Sequence, residues 1–240
     1  MTEWLVRLQG EKLDLDGASC HFRSAELKVT YKDGSYYLAS TNFNSMTNPS
    51  EVLKRAKRVL KATNGILKVL VGNDRPVTAD GTLRRVGEGG EQEMHVHLAA
   101  ATATARGQVH AAGVVIKPDG TTESSGQHPT QAESWMAIAR QDDWVAFAFS
   151  LFVEPKWYRL SNIMDIIEDD VGGRPALKET GWVPKSRITL FHWTANNKEA
   201  LGEDARHANK REPPKRPMSL PEAEDLIRTL FKKWLETKVE

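Results

Sequence analysis

The amino-acid sequence predicts an α+β protein: a β-rich N-terminal region with one or two helices, followed by an all-α C-terminal bundle. Two patterns carry this. Alternating apolar and polar runs, punctuated by turn dipeptides, fill the first half. Apolar spacings of three and four take over from Thr130. The chain therefore divides into a β-rich α+β domain, 1–128, and a helical domain, 129–240. A hydrophobic content of 40% and a charged content of 27% are ordinary for a globular chain.

Residues 4–8, Trp-Leu-Val-Arg-Leu, read as a strand that ends before Gly10. Ala18, Ser19, Cys20, His21 and Phe22 read as a second strand, with Cys20 as a small core residue. Residues 26–40 read as a hairpin turned by Asp33-Gly34, a strong short-range turn signal between alternating runs. Asn48-Pro49-Ser50-Glu51 then starts a helix, with Asn48 as its cap and Pro49 at the first helical position. Leu53, Ala56 and Leu60 form its apolar stripe, and Asn64-Gly65 is its expected end. Strands follow at 82–86, 93–105 and 108–117, the first two joined by the Gly-rich turn 87–90. A polar loop spans 118–130.

Thr130 and Glu133 form a capping box in front of Trp135, Ile138 and Ala139. That helix either runs on to Phe152 or breaks near Asp142-Asp143. Further helices are expected at 157–170, ended by Gly172-Gly173, at 175–179 and at 186–193. Residues 196–218 are polar and contain several prolines. Ser219 and Glu222 cap a last helix whose Ala223, Leu226, Ile227, Leu230, Phe231 and Trp234 make a stripe wide enough to be buried.

The totals exclude several classes of function. Lys plus Arg number 33 against 32 acids, a net charge of +1, so any basic surface is local. A single cysteine allows neither an internal disulfide nor a multi-thiolate metal site. The start Met1-Thr2-Glu3-Trp4 lacks the basic and apolar pattern of a signal peptide. The longest apolar run, 144–153, is about half of what a bilayer needs. A cytoplasmic location without membrane contact is the expectation.

Several residues could carry chemistry. His95 and His97 share a strand face, but His110 on the next strand falls several residues away, so a half-exposed face is expected rather than a metal site. Gly87, Glu88, Gly89 and Gly90 lack a following helix, so they read as a hairpin loop and not a phosphate cradle. Lys54, Arg55, Lys57, Arg58 and Lys61 have no interleaved aromatic residue and read as a solvated helix face. Glu168, Asp169 and Asp170 end a helix, where the dipole disfavours acids. Compensation by ion pairs with the downstream segment of Arg206, His207, Lys210 and Arg211 is the expectation. A nucleotide or nucleic-acid site, or Mg²⁺, are the alternatives. Arg187 and His192 have an Arg-x4-His spacing, in which Arg would neutralise a phosphate and His would move protons.

Residues 157–235 resemble the C-terminal part of an uncharacterised bacterial protein family. The resemblance lies in Trp157-Tyr158-Arg159-Leu160, Glu168 through Gly173, and Phe191-His192-Trp193-Thr194-Ala195-Asn196. It continues in Gly202 through His207 and in Pro217 through Ala223. The helical region is distantly similar to HEPN-type bundles of phage-defence proteins, whose Arg and His act on RNA without metal. The chain departs from that pattern in its contiguous Arg206-His207 and in Ile188 after Arg187.

Two readings follow. One is a binding or regulatory module of a bacterial intracellular system, with anti-phage defence as the implied setting and a helical effector or oligomerisation domain. The other is a HEPN-like, metal-independent ribonuclease. Candidate catalytic residues are His192, Arg206 and His207, and candidate binding residues are Arg187, Asn196, Lys210 and Arg211. RNA, a nucleotide, a protein partner and a second copy of the chain are the expected partners, with no metal or cofactor.

Overall fold

The computed structural model describes residues 3–73, 75–87, 89, 91–96, 129–206 and 212–238. The chain is α+β, with an antiparallel sheet in its N-terminal part and helices alone after residue 129 among the described residues. It forms two compact units. The first is Met1–Leu60 with Arg75–Ser134, and the second is Lys61–Asp74 with Trp135–Glu240.

The sheet of the first unit has six strands among the described residues: β1 (Glu3–Gln9), β2 (Arg23–Ser24), β3 (Leu27–Lys32), β4 (Ser35–Ala39), β5 (Thr78–Val86) and β6 (Gln92–Val96). Their order is β2-β3-β4-β1-β5-β6. Strand β1 is central, and Val6 stands opposite both Leu38 of β4 and Leu83 of β5. Cross-strand partners share a face, so these residues and Val29, opposite Leu38, form one buried layer. Leu5, Tyr37 and Ala39 bury the other face. The expected hairpin turn is present: Asp33 and Gly34 both have positive φ, 49° and 76°, as a two-residue turn of the favoured hand requires.

Helix α1 (Lys12–His21) replaces the strand expected at residues 18–22, and Cys20 is exposed on it rather than in the core. Leu15 and Ala18 are three apart and buried, and Lys12 and Asp16 pair at 2.8 Å across one turn. Helix α2 (Pro49–Val71) is capped by Asn48, whose side chain accepts from the Ser50 amide at 2.9 Å. It runs past Gly65 instead of ending there. The reason is tertiary. A Cβ on Gly65 would sit 2.0 Å from the Phe149 carbonyl oxygen, so the glycine is there for a close backbone approach and not as a cap.

Helix α3 (Gln131–Gln141) begins with the expected capping box. Thr130 Oγ1 accepts from the Glu133 amide at 3.2 Å, and Glu133 Oε2 accepts from the Thr130 amide at 2.8 Å. Within the first unit, Glu133 Oε1 also accepts the amides of Arg23 at 2.7 Å and Ser24 at 2.6 Å. The chain breaks at Asp142, which caps α4 (Asp143–Phe152). Then come α5 (Trp157–Asp170), α6 (Arg174–Glu179), α7 (Lys185–Ala195), the single turn α8 (Lys198–Leu201) within the polar stretch, and α9 (Leu220–Glu236).

Helix α9 has its full Ser219–Glu222 capping box and packs on α5. Every residue of its expected stripe is buried, and Phe231 meets the rings of Phe149 and Phe152 at 4.9 and 5.1 Å. No helix among the described residues is long and apolar enough to cross a membrane.

Two stability predictions follow from this packing. Trp234 is 0% exposed, so Trp234→Ala is expected to lose about 3–5 kcal/mol, read as a lowered denaturation midpoint. Gly65→Ala would gain about 1 kcal/mol from helix propensity alone. The clash with Phe149 reverses that sign, and a net loss of about 1–3 kcal/mol is expected in urea unfolding. A stabilised Gly65→Ala protein would show that α4 does not press on α2.

Candidate functional site

The C-terminal end of α5 sets up the site. Its last turn carries Glu168, Asp169 and Asp170 beside carbonyls that already concentrate negative charge. The backbone closes with a Schellman motif, in which the Gly173 amide donates to the Glu168 carbonyl and the Gly172 amide to the Asp169 carbonyl. Positive φ values of 94° and 102° make glycine the residue for both positions. This turn brings Arg174, the first residue of α6, back onto Glu168, with Nε donating to Oε1 at 3.0 Å. From α7, His192 Nε2 lies 2.7 Å from the same oxygen. The Glu168 and His192 side chains are each only 8% exposed.

Burial pushes the Glu168 carboxyl up, but the hydrogen bonds and charges of His192 and Arg174 outweigh it and hold the group below the usual carboxylate range. Glu168 is therefore ionised at neutral pH, and His192 Nε2 carries the proton that it donates. The pair fixes the imidazole in the wall of a cavity of about 440 Å³, lined by Arg174, Lys178, Thr189, His192, Trp193, Asn196 and Glu212. Thr189, His192, Trp193 and Asn196 follow the spacing of one helical face along α7 and its C-cap. The Trp193 indole N–H donates to the Glu212 carbonyl at 2.9 Å, which fixes the ring. Asn196 Nδ2 donates to the His192 carbonyl at 2.8 Å, while its Oδ1 is buried without a partner among the described residues.

Of the expected site residues, His192 and Asn196 meet in this cavity and Glu168 stands behind it. The others go elsewhere. Arg206, expected opposite residues 168–170, instead holds Asp165 about a turn earlier, with Nη1 and Nη2 at 2.8 and 2.7 Å from the two carboxylate oxygens. Asp170 accepts a hydrogen bond from the Trp234 indole at 2.7 Å and pairs with Lys238 at 3.1 Å, and Lys238 also reaches Asp142. Asp169 is exposed and lines a separate hollow with Trp144, Ile166 and Asp170. Arg187 binds the Glu222 carbonyl at 3.2 Å and lines a third hollow with Arg216, Pro217 and Met218. Positions five apart diverge by about 140° around a straight helix, so Arg187 and His192 face different cavities. His207, Lys210 and Arg211 lie outside the described residues.

His95 packs on Trp4 with ring centroids 5.5 Å apart, while His97 and His110 lie outside the described residues. No group of three or more metal-ligating side chains occurs among the described residues. Sequence reasoning missed Arg174, Lys178, Thr189, Trp193 and Glu212. The signal on α7 was present, because residues 189, 192, 193 and 196 repeat at three and four. The chain matches no family model, no curated protein and no solved structure.

A pH prediction follows from Glu168. Its lowered pKa means that its stabilisation is present above the ordinary glutamate value of about 4.3 and is lost as pH falls through its folded value. Glu168→Gln is expected to destabilise by about 1–3 kcal/mol at pH 7. The gap in melting temperature between wild type and variant should close as pH drops below about 4. A gap that stays constant down to acid pH would contradict an ionised Glu168.

Proposed function

We propose that the chain is a binding and regulatory module whose second unit holds a small phosphorylated ligand of the nucleotide class. One observation carries the reading: a single cavity gathers two cations, an exposed indole and a buried amide oxygen in need of a donor. Arg174 and Lys178 are four apart on α6 and suit a phosphate. Lys178 has no ion-pair partner among the described residues. Trp193 is 46% exposed and held by its N–H, a rigid face for a flat base. Asn196 Oδ1 would accept from an amino or hydroxyl group, since buried polar atoms are costly to leave unpaired. The volume lies within the roughly 300–1,000 Å³ usual for ligand pockets.

A second reading uses the same residues. His192 lines the cavity with Glu168 behind it, the arrangement of an oriented proton-transfer group, which favours a metal-independent ribonuclease. Arg206 is engaged with Asp165, so phosphate charge would fall to Arg174 or Lys178. Total RNA incubated with the protein and EDTA, beside His192→Ala, separates the two. Cleavage that the variant loses favours the enzyme, and intact RNA favours the binding module.

The binding reading predicts heat on calorimetric titration with AMP. Lys178→Ala should weaken AMP about tenfold, or about 1.4 kcal/mol, and leave adenosine unchanged. No heat from AMP, ATP or phosphate at millimolar concentration would contradict it.

A further inference from the structure

Helix α2 carries a second feature, remote in chemistry from the cavity. Lys54, Arg55, Lys57, Arg58 and Lys61 are all exposed. None has an ion-pair or hydrogen-bond partner among the described residues. Four of them, at positions 54, 57, 58 and 61, repeat at three and four and so share one face over about 10 Å of helix. Glu51 is the only acid in the helix. Like charges at such spacings destabilise a helix, and the dipole acts only within its terminal turns. Neither local stability nor the near-neutral net charge of +1 accounts for the row.

We infer that this face docks on the phosphate backbone of a double-stranded nucleic acid. A duplex has about one negative charge per 1.7 Å of its axis, which a rigid cationic row can neutralise with release of counterions. A single strand fits less well, because no aromatic side chain stands among the five for base stacking. An acidic protein partner fits less well, because Val52, Leu53, Ala56 and Leu60 are buried and leave no apolar anchor on the charged face. A membrane surface is disfavoured for the same reason, since the apolar stripe that would insert is already buried.

The test is fluorescence anisotropy of the full chain with labelled 20-base-pair DNA and RNA duplexes between 50 and 200 mM salt. Binding to either duplex should weaken with salt at a log–log slope of about −0.9 per phosphate contacted, near −3 to −4 for this row. Lys54→Glu, Lys57→Glu and Lys61→Glu combined should weaken binding at least tenfold at 50 mM salt and flatten the slope. Because all three side chains are exposed and have no partner among the described residues, circular dichroism should stay unchanged. A parallel variant with glutamine at the same three positions guards against any fold defect and should show the same loss. Absent duplex binding at 50 mM salt, or equal binding by the folded variants, overturns the inference. Tighter binding of polyglutamate than of either duplex overturns it in favour of a protein partner.

Discussion

Glu168 is the constraint around which the second unit is arranged. A carboxylate in the last turn of a helix faces the negative end of the dipole, and this one is also buried. An uncompensated buried charge costs several kcal/mol, so its neighbours are dictated. Arg174 must return through a tight turn, which takes two glycines at positive φ. His192 must come in from α7 with its proton on Nε2. Once both are in place, the cavity wall is largely determined, because Arg174 begins α6 and His192 fixes the rotation of α7.

Two other acids of α5 are compensated differently. Asp165 takes a two-pronged Arg206, and Asp170 takes an indole and a lysine. These contacts are more exposed than Glu168, so each contributes less. Their effect is positional: Arg206 ties the chain after α8 to α5, and Lys238 ties the end of α9 to both α4 and α5. The acids that make a poor helix end alone thus hold several helices in register.

Legibility from sequence divides along the range of the interactions. Asp33-Gly34, the Thr130–Glu133 box and the Ser219–Glu222 box were readable because their partners lie within three residues. The buried stripe of α9 was readable from its period. Gly65 misled because a glycine that admits a neighbouring backbone looks the same in sequence as one that ends a helix. Residues 18–22 misled because they were read apart from residues 12–17, whose Leu15 shares a buried helix face with Ala18. In the site, His192 was legible from its Arg-x4-His spacing and Asn196 as the start of the polar segment that follows α7. Arg174 and Lys178 were not, since nothing local shows that a two-glycine turn carries α6 back to α7. The conflict at residues 168–170 was legible, but the choice of Arg174, His192 and Lys238 over Arg206 was not.

The most direct measurement of the central claim is the protonation of the His192 imidazole nitrogens, read by long-range nitrogen–proton NMR at neutral pH. An ionised, buried Glu168 requires a proton on Nε2, and the account predicts that signal, together with its change in Glu168→Gln. An Nε2 without a proton, with the hydrogen on Nδ1, would mean that Glu168 is neutral and donates, and would contradict the account.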